Sequence, residues 1–280
     1  MQLEDTPVVS TACTIQPGDT PAARFYQPEL DWLRFMAFSA VFVRHLYQTT
    51  EASYTELGIP PILVSAITPL MESGLYGVDL FFALSAFLIT KLLLLEKQRT
   101  GRVHIRSFYA RRILRIWPLY FTFVLAVCPF EVLFRGNPAG FYAALLTFSE
   151  NWYGVFSAAS FESVCHPLWS VCIEEQFYLV WPILVGRTKP ARFGLIMVGL
   201  MVFTCIYRTF YVYGEPPHPG SVWLNTLTRL DPFALGGLLA ILLHNRGLPF
   251  SRVYRGYALF AAITMFWSLG TYPAAATYYT

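Results

Sequence analysis

Residues 30–48, with the sequence LDWLRFMAFSAVFVRHLYQ, form a run of the length and apolar content of a membrane helix, which needs about 20 residues. The run nevertheless carries four ionisable side chains, Asp31, Arg34, Arg44 and His45. Arg34 and His45 are eleven positions apart, about three helical turns or about 16 Å, so both side chains lie on one face. Ionisable groups are costly inside a membrane and usually mark a functional site. The structural alternative is a snorkelling arginine and an interfacial histidine.

The composition of the chain also indicates a membrane protein. Of 280 residues, 55% are hydrophobic and 13% are charged, whereas an average soluble domain has about 25% charged residues. We therefore predict an all-α fold, a polytopic transmembrane helical bundle that has the lipid bilayer as its surroundings. A net charge of +3 is too small to indicate a nucleic-acid partner. The five cysteines are scattered without a CxxC pair, so we expect no metal site.

Seven apolar runs are candidates for membrane spans, and an eighth run is shorter. The seven cover residues 30–48, 75–95, 113–134, 168–185, 193–212, 230–243 and 257–272. The run at 141–148 is much shorter than the about 20 residues that a crossing requires. We therefore predict about seven or eight spans, with a re-entrant or interfacial segment near 141–148.

Basic residues between the predicted spans set the expected orientation. Residues 97–115 hold seven Lys and Arg residues and no acidic residue, and the positive-inside rule assigns such a loop to the cytoplasm. Two spans separate this loop from the N-terminus. Residues 1–28 are polar and lack the apolar core of a signal peptide, so we expect a flexible cytoplasmic tail there. The basic groups at 187–192 and 246–255 fall on the same side only if 141–148 does not cross.

Four acidic residues in three of the predicted spans, Asp79, Glu174, Glu175 and Asp231, are candidates for a function. Glu174 and Glu175 lie inside an apolar run at a depth from which a short side chain cannot snorkel, so we interpret them as functional. Adjacent helical residues point about 100° apart and need different partners. Either carboxylate could raise the basicity of an imidazole or pair with Arg34. Asp79 and Asp231 lie near the starts of their spans, where each could be only a residue favoured by the helix dipole.

Three arginines, Arg111, Arg112 and Arg115, lie where the third predicted span begins. Arg111 and Arg115 are four positions apart on one helix face and could bind phosphate groups together. The alternative is a topology signal whose arginines contact lipid headgroups.

Four stretches, taken together, resemble the acyltransferase family 3 integral membrane enzymes, in the family's order. They are Arg34 and His45 with ten residues between them, GVDLFFALSAFLIT (77–90), FYARRILRIWPLYF (108–121) and WSVCIEEQFYLVWP (169–182). Ala86 stands where the family usually has glycine. Family members usually have more spans than this chain supplies, so we expect residues 29–280 to be a membrane acyltransferase domain that is truncated at its C-terminus.

The resemblance implies transfer of an acyl group, often acetyl, from acyl-coenzyme A to a hydroxyl of a carbohydrate or glycosylated acceptor. Acyl-coenzyme A would be a co-substrate, with no permanently bound cofactor, and the expected location is the plasma (inner) membrane. By the family's pattern, His45 would be the central catalytic residue and Arg34 its partner. We expect catalytic roles for His45, Asp79, Glu174 and Glu175, and substrate binding by Arg34, Arg111, Arg112, Arg115, Trp169, Ser170 and Asp231.

The expected mechanism separates the donor from the acceptor. The arginines would bind the phosphates of coenzyme A, and its thioester would extend towards His45. His45 would act as general base or as nucleophile. Glu174 or Glu175 would orient the imidazole. Two other classes of protein remain open, a proton-coupled transporter and a non-catalytic relative that keeps the fold. Consumption of acyl-coenzyme A with a matching acylated product would distinguish the enzyme from both.

Overall fold

The structure is a computed structural model that describes residues 28–46, 58–64, 68, 74–157, 163–214, 216–218 and 220–244. Within these residues the fold is all-helical, without a strand. The predicted tail up to residue 27 and the predicted span at 257–272 lie outside the described residues. The helices of seven or more residues are α1 (Pro28–Leu46), α2 (Gly77–Thr100), α3 (Ile105–Phe134), α4 (Ala139–Leu146), α5 (Glu150–Phe156), α6 (Trp169–Arg187), α7 (Pro190–Tyr213) and α8 (Leu230–Leu242). Short 3-10 turns, Gly74–Tyr76, His166–Leu168 and Thr226–Arg229, lead into α2, α6 and α8.

Four of the described helical segments are long and apolar enough to cross a membrane, Gly74–Thr100, Ile105–Phe134, His166–Arg187 and Pro190–Tyr213. They coincide with four predicted spans and mark the chain as an integral membrane protein. α1 has 19 residues, among them several charged ones. α8 has 13 residues, about 20 Å, which is shorter than a hydrocarbon core of about 30 Å. The described residues therefore account for four of the seven or eight predicted spans by length and composition.

Side-chain contacts show that α6 runs parallel to α2. Three hydrogen-bonded pairs, 89, 91 and 89 residues apart, follow one another along the two helices: Ser85–Glu174, Thr90–Trp181 and Lys97–Gly186. A nearly constant separation means that both helices run in the same direction. α3 runs antiparallel to α6, as the pairs Tyr109–Leu179 and Trp117–Glu175 show, so α3 ends near the start of α6. α4, with eight residues, is about 12 Å long, which is shorter than a hydrocarbon core of about 30 Å. That 141–148 is a re-entrant or interfacial segment stays a prediction.

Two close contacts show that α1 runs antiparallel to α2. A methyl group on Gly74 would lie 2.5 Å from the carbonyl oxygen of Ala40, and one on Gly77 would lie 2.8 Å from that of Ala37. From Gly74 to Gly77 the chain moves towards α2, whereas the contacted residue on α1 moves back from Ala40 to Ala37. Both glycines are needed because the two backbones approach too closely for any side chain at these points.

The directions of α7 and α8 complete the arrangement. α8 is parallel to α2 and antiparallel to α7, as shown by the pairs Asp79–Arg229, Phe82–Phe233, Arg208–Asp231 and Gly194–Leu238. The connections 101–104 and 188–189 therefore lie at the same end of the bundle, here called the basic end. The other end, where α1, α3 and α7 finish and α2, α6 and α8 begin, is called the opposite end.

The tightest contact in the core lies between α2 and α8. The backbone of Gly236 lies so close to α2 that a methyl group there would be 2.1 Å from the carbonyl oxygen of Ala83 and 3.0 Å from Cβ of Ala86. Ala86 is fully buried. The alanine that departs from the family pattern thus packs in this helix contact, and it is not a residue of the polar clusters described next.

Candidate active site

The two adjacent carboxylates of α6 take different partners, as their angular spacing predicted. Glu174 accepts hydrogen bonds from the hydroxyls of Ser85 and Tyr178, each at 2.5 Å. Glu175 accepts one from the indole N–H of Trp117 at 3.1 Å. Both carboxylates are half-buried, so three helices, α2, α3 and α6, supply donors to one acidic pair inside the bundle.

One of the three predicted arginines lies near this acidic pair. Arg112 is half-buried, its guanidinium lies 4.8 Å from the centre of the Tyr178 ring, and its charge interacts with that of Glu175. Arg111 and Arg115 are exposed and form no ion pair with another described residue. The residues Ser85, Arg112, Trp117, Glu174, Glu175 and Tyr178 are called the acidic cluster below.

A second group of charges lies nearer the opposite end and joins α2, α7 and α8. Asp79 Oδ1 lies 2.9 Å from Arg229 Nη2, and Arg208 Nη2 lies 2.5 Å from Asp231 Oδ1. Asp79 and Asp231, for which a role at a helix start was the alternative, therefore each have an arginine partner. We call these residues, Asp79, Arg208, Arg229 and Asp231, the four-charge cluster.

Arg229 is the buried centre of the four-charge cluster. Its side chain is 8% exposed, and its guanidinium carbon lies 3.9 Å from the ring centre of Trp223 and 6.0 Å from that of Trp169, a predicted substrate-binding residue. The contact with Asp79 is an ion pair that is not aligned as a hydrogen bond. Arg229 Nε and Nη2 and Asp79 Oδ1 are buried without a hydrogen-bond partner among the described residues. The stabilisation of these buried atoms therefore comes from the attraction between the two charges.

The residues of the first motif lie on one continuous helix but differ in exposure. Arg34 is half-buried, whereas His45, in the last turn of α1, is exposed. His45 Nδ1 lies 2.8 Å from the carbonyl oxygen of Val41. Among the described residues, no hydrogen bond or ion pair joins His45 to Glu174 or Glu175. The structure thus orients the imidazole with a backbone carbonyl and not with the carboxylates that the sequence suggested.

Gln176, next to the acidic pair, was missed by the sequence analysis. Its amide donates to the carbonyl of Phe148 and to the side chain of Asn151, both at 2.9 Å. Its oxygen accepts from the hydroxyl of Thr226 at 2.7 Å and from the indole of Trp152 at 3.3 Å. One side chain therefore ties α5 and the segment before α8 to α6. Its position directly after two acidic residues in an apolar run was the available signal. The predicted Ser170 is half-buried and donates to Pro167 of its own turn.

Glu131, near the end of α3, is a second polar centre that the sequence did not single out. It is 1% exposed and accepts hydrogen bonds from Ser163 Oγ at 2.6 Å, from the backbone N–H of Val164 at 3.0 Å and from the Tyr142 hydroxyl. It connects the end of α3 with α4 and with the residues before α6, so its role is to hold the chain at the opposite end.

Glu150 and His166 form an acid–base pair outside both clusters. Glu150, at the start of α5, is 1% exposed, and its Oε1 lies 3.6 Å from Nδ1 of the exposed His166. Its Oε2 has no hydrogen-bond partner among the described residues. Burial raises the pKa of Glu150 above its ordinary value of 4.5, and the imidazole only partly opposes this shift.

The raised pKa predicts a pH-dependent stability that Glu150→Gln removes. Folding favours the protonated carboxyl, so its contribution to stability is complete below pH 4.5 and is lost as the pH rises through the raised pKa. We therefore expect the melting temperature of Glu150→Gln, relative to that of the wild type, to increase as the pH rises from 4.5 towards neutrality. Thermal unfolding of both proteins in detergent across this range measures the difference. A difference that does not change with pH would contradict the assignment.

Comparison with known proteins identifies the family. The family model Acyl_transf_3, described as an acyltransferase domain, matches residues 27–280. The chain is 30% identical over 249 residues to peptidoglycan O-acetyltransferase OatA of Listeria monocytogenes, a match that covers 84% of this chain and 36% of that protein. It is also 30% identical over 233 residues to O-acetyltransferase OatA of Staphylococcus aureus strain NCTC 8325, with 78% and 35% covered.

The chain thus spans about a third of the length of the curated relatives that it matches. No solved structure matches it. The family model covers nearly the whole chain, including all four motifs and both polar clusters. The chain therefore belongs to acyltransferase family 3.

Proposed function

We propose that the chain is a membrane-embedded O-acyltransferase that moves an acyl group, acetyl in the simplest case, from acyl-coenzyme A to a hydroxyl of a carbohydrate or glycosylated acceptor. The family match and the relatives' names as O-acetyltransferases support the reaction class. The mechanism depends on the tautomer and the exposure of His45, because general-base catalysis needs an accessible imidazole nitrogen with a free lone pair.

The hydrogen bond to Val41 sets the tautomer of His45. A carbonyl oxygen can only accept, so the Nδ1 that lies 2.8 Å from it carries the proton. In the neutral ring the lone pair is then on Nε2. Because the side chain is exposed at the end of α1, this nitrogen can reach a substrate hydroxyl without any rearrangement of the bundle.

The proposed topology places donor and acceptor at different ends. Both basic connections lie at one end, which the positive-inside rule assigns to the cytoplasm. α1 begins at that end, so the N-terminus is cytoplasmic as well, and with the family assignment we take the membrane to be the plasma membrane. Arg111, Arg112 and Arg115, near the start of α3, would then receive the phosphates of coenzyme A.

The acidic cluster lies between the basic end and the four-charge cluster. On α2, Ser85 is six residues beyond Asp79, about 9 Å deeper from the opposite end. Arg112 is both an arginine of the donor group and a neighbour of Glu175. We assign the acidic cluster to the path of the acyl chain, where its hydroxyl and carboxylate groups position the thioester.

The reaction balances with His45 as the one proton carrier. Nε2 removes the proton of the acceptor hydroxyl while its oxygen attacks the thioester carbonyl. The new C–O ester bond forms, and the C–S bond of the thioester then breaks. The leaving thiolate takes the proton from the imidazolium. Nothing further is consumed, so the products are the ester and free coenzyme A.

His45→Ala is expected to abolish acyl transfer while leaving the protein in the membrane. The measurement is transfer of label from radiolabelled acetyl-coenzyme A into envelope or glycoside fractions by membranes that contain equal amounts of each protein. His104→Ala is the matched control, because His104 lies at the basic end and pairs with Glu96 at 2.8 Å. We expect this control to keep the wild-type rate.

Two outcomes would contradict the proposal in different ways. Equal label with wild type and His45→Ala would show that another residue is the base. No label with the wild type, despite stable insertion, would favour a non-catalytic relative or a transporter.

A further inference from the structure

A groove at the opposite end belongs to neither polar cluster. It has a volume of about 520 Å³ and is lined by Ala144, Ser149, Trp152, Tyr153, Phe156 and Ser157, all from α4, α5 and the residues around them. Ligand sites generally have volumes of about 300–1,000 Å³, so the groove has room for one or two sugar rings. We call it the α5 groove.

The lining of the α5 groove combines aromatic faces with hydroxyl groups. The rings of Trp152 and Phe156 are nearly parallel, with an interplanar angle of 18° and centres 6.2 Å apart. Phe156 is 75% exposed. Ser149, Ser157 and Tyr153 supply hydroxyls, and the described residues that line the groove include no Asp, Glu, Lys, Arg or His. Such a surface does not suit the phosphates of coenzyme A.

A neutral pyranose has the complementary chemistry. One face of the ring presents C–H groups that pack on an aromatic face, and its rim presents hydroxyls that donate and accept hydrogen bonds. Large aromatic rings contribute most of the contact area in such sites at a small entropic cost, because they have few rotatable bonds.

The α5 groove is held rigidly and is connected to the acidic cluster. Trp152 donates its indole N–H to Gln176, the residue after Glu175, at 3.3 Å. The neighbouring Asn151 donates to the carbonyl of Leu224 at 3.0 Å. A prearranged surface loses little entropy when a ligand binds. A ligand in the groove would therefore contact Trp152 of α5, which is hydrogen-bonded to the residue that follows Glu175.

We propose that the α5 groove is a saccharide subsite that binds a neutral pyranose of the acceptor. This inference rests on the proposed function for its place in the reaction, but binding in the groove does not require turnover. The subsite lies at the opposite end, away from the donor arginines, so it affects recognition of the acceptor and leaves recognition of acyl-coenzyme A unchanged.

The test measures binding of chitotetraose, a neutral N-acetylglucosamine oligosaccharide, to the full chain in nanodiscs by calorimetry. Phe156→Ala is expected to weaken binding about 3- to 10-fold, the range of an aromatic contact, and Phe156→Trp to restore it. Phe134→Ala is the matched control, since Phe134 is also 75% exposed and ends α3 at the same end of the bundle. In transfer assays, Phe156→Ala should raise the KM for the acceptor and leave the KM for acetyl-coenzyme A unchanged.

The outcomes separate this inference from the proposed function. Equal binding by wild type and Phe156→Ala, or no binding by the wild type, would overturn the saccharide subsite. Loss of chitotetraose binding in Phe134→Ala as well would show a general effect of surface aromatics and would also overturn it. Specific binding in a wild type that transfers no label would support the subsite and count against the transferase. If brominated lipid quenched the fluorescence of Trp152 and chitotetraose did not compete, the groove would be a lipid contact.

Discussion

Gly236→Ala is expected to prevent the stable assembly of α8 on α2. The added methyl group would lie 2.1 Å from the backbone oxygen of Ala83, a distance that only a shift of one whole helix can relieve. Overpacking of a core costs about 1–3 kcal/mol and occasionally more, and a clash with backbone falls at or above the top of this range. Thermal unfolding and the monodisperse fraction in detergent are the measurements.

Gly199→Ala is the matched control for this prediction. Gly199 lies within α7, and a methyl group there would meet no described atom within 4 Å apart from the neighbouring backbone of its own helix. The substitution should be neutral or stabilising by up to about 1 kcal/mol, because alanine favours the helix more than glycine does. Ala86→Gly should rescue Gly236→Ala only slightly, because the closer contact is with the backbone of Ala83. Equal stability of the two alanine variants would contradict the packing.

Arg229→Met is expected to destabilise the bundle by about 3–5 kcal/mol, because removal of one partner of a buried ion pair leaves the other uncompensated. The uncompensated group is Asp79, whose Oδ1 is buried. Asp79→Asn in the same chain should recover much of this loss. A double-mutant cycle on the free energy of unfolding, with Asp79→Asn, Arg229→Met and both together, measures the coupling.

The second ion pair of the four-charge cluster supplies the control cycle. The side chains of Arg208 and Asp231 are 39% and 34% exposed, and exposed pairs contribute about 0–1 kcal/mol. We expect the cycle with Arg208→Met and Asp231→Asn to give the smaller coupling energy. A coupling for Asp79 and Arg229 that is no larger than this control would show that burial does not strengthen the first pair.

Features of the site that depend on one helix were predictable from the sequence. Glu174 and Glu175 have different partners because neighbouring positions point about 100° apart. The helix that carries Arg34 and His45 followed from a continuous apolar run. The short run at 141–148 forms a helix of only eight residues, α4, where about 20 residues are needed to span a bilayer. Each of these conclusions needed only helical geometry and the length of a segment.

The partners across helices were not predictable in this way. The ion pair of Asp79 with Arg229 depends on the direction and register of α2 and α8, which a single sequence does not encode as a local pattern. The hydrogen bond of His45 to Val41 was missed for another reason. It uses a backbone carbonyl, which every residue possesses, so no side-chain signal could mark it.

The parallel packing of α2 with α6 and α8 has a consequence for biosynthesis. Ser85 meets its partner on α6 89 residues later, and the contact of Ala83 with Gly236 requires still more of the chain. During translation, α2 therefore enters the membrane before its polar and small residues are covered by α6 and α8. Exposure of polar groups to lipid is energetically costly. A nascent chain released before Gly236 would keep that surface exposed. Such a chain is a natural substrate for membrane quality-control proteases, and its lifetime would report how late in synthesis the bundle closes.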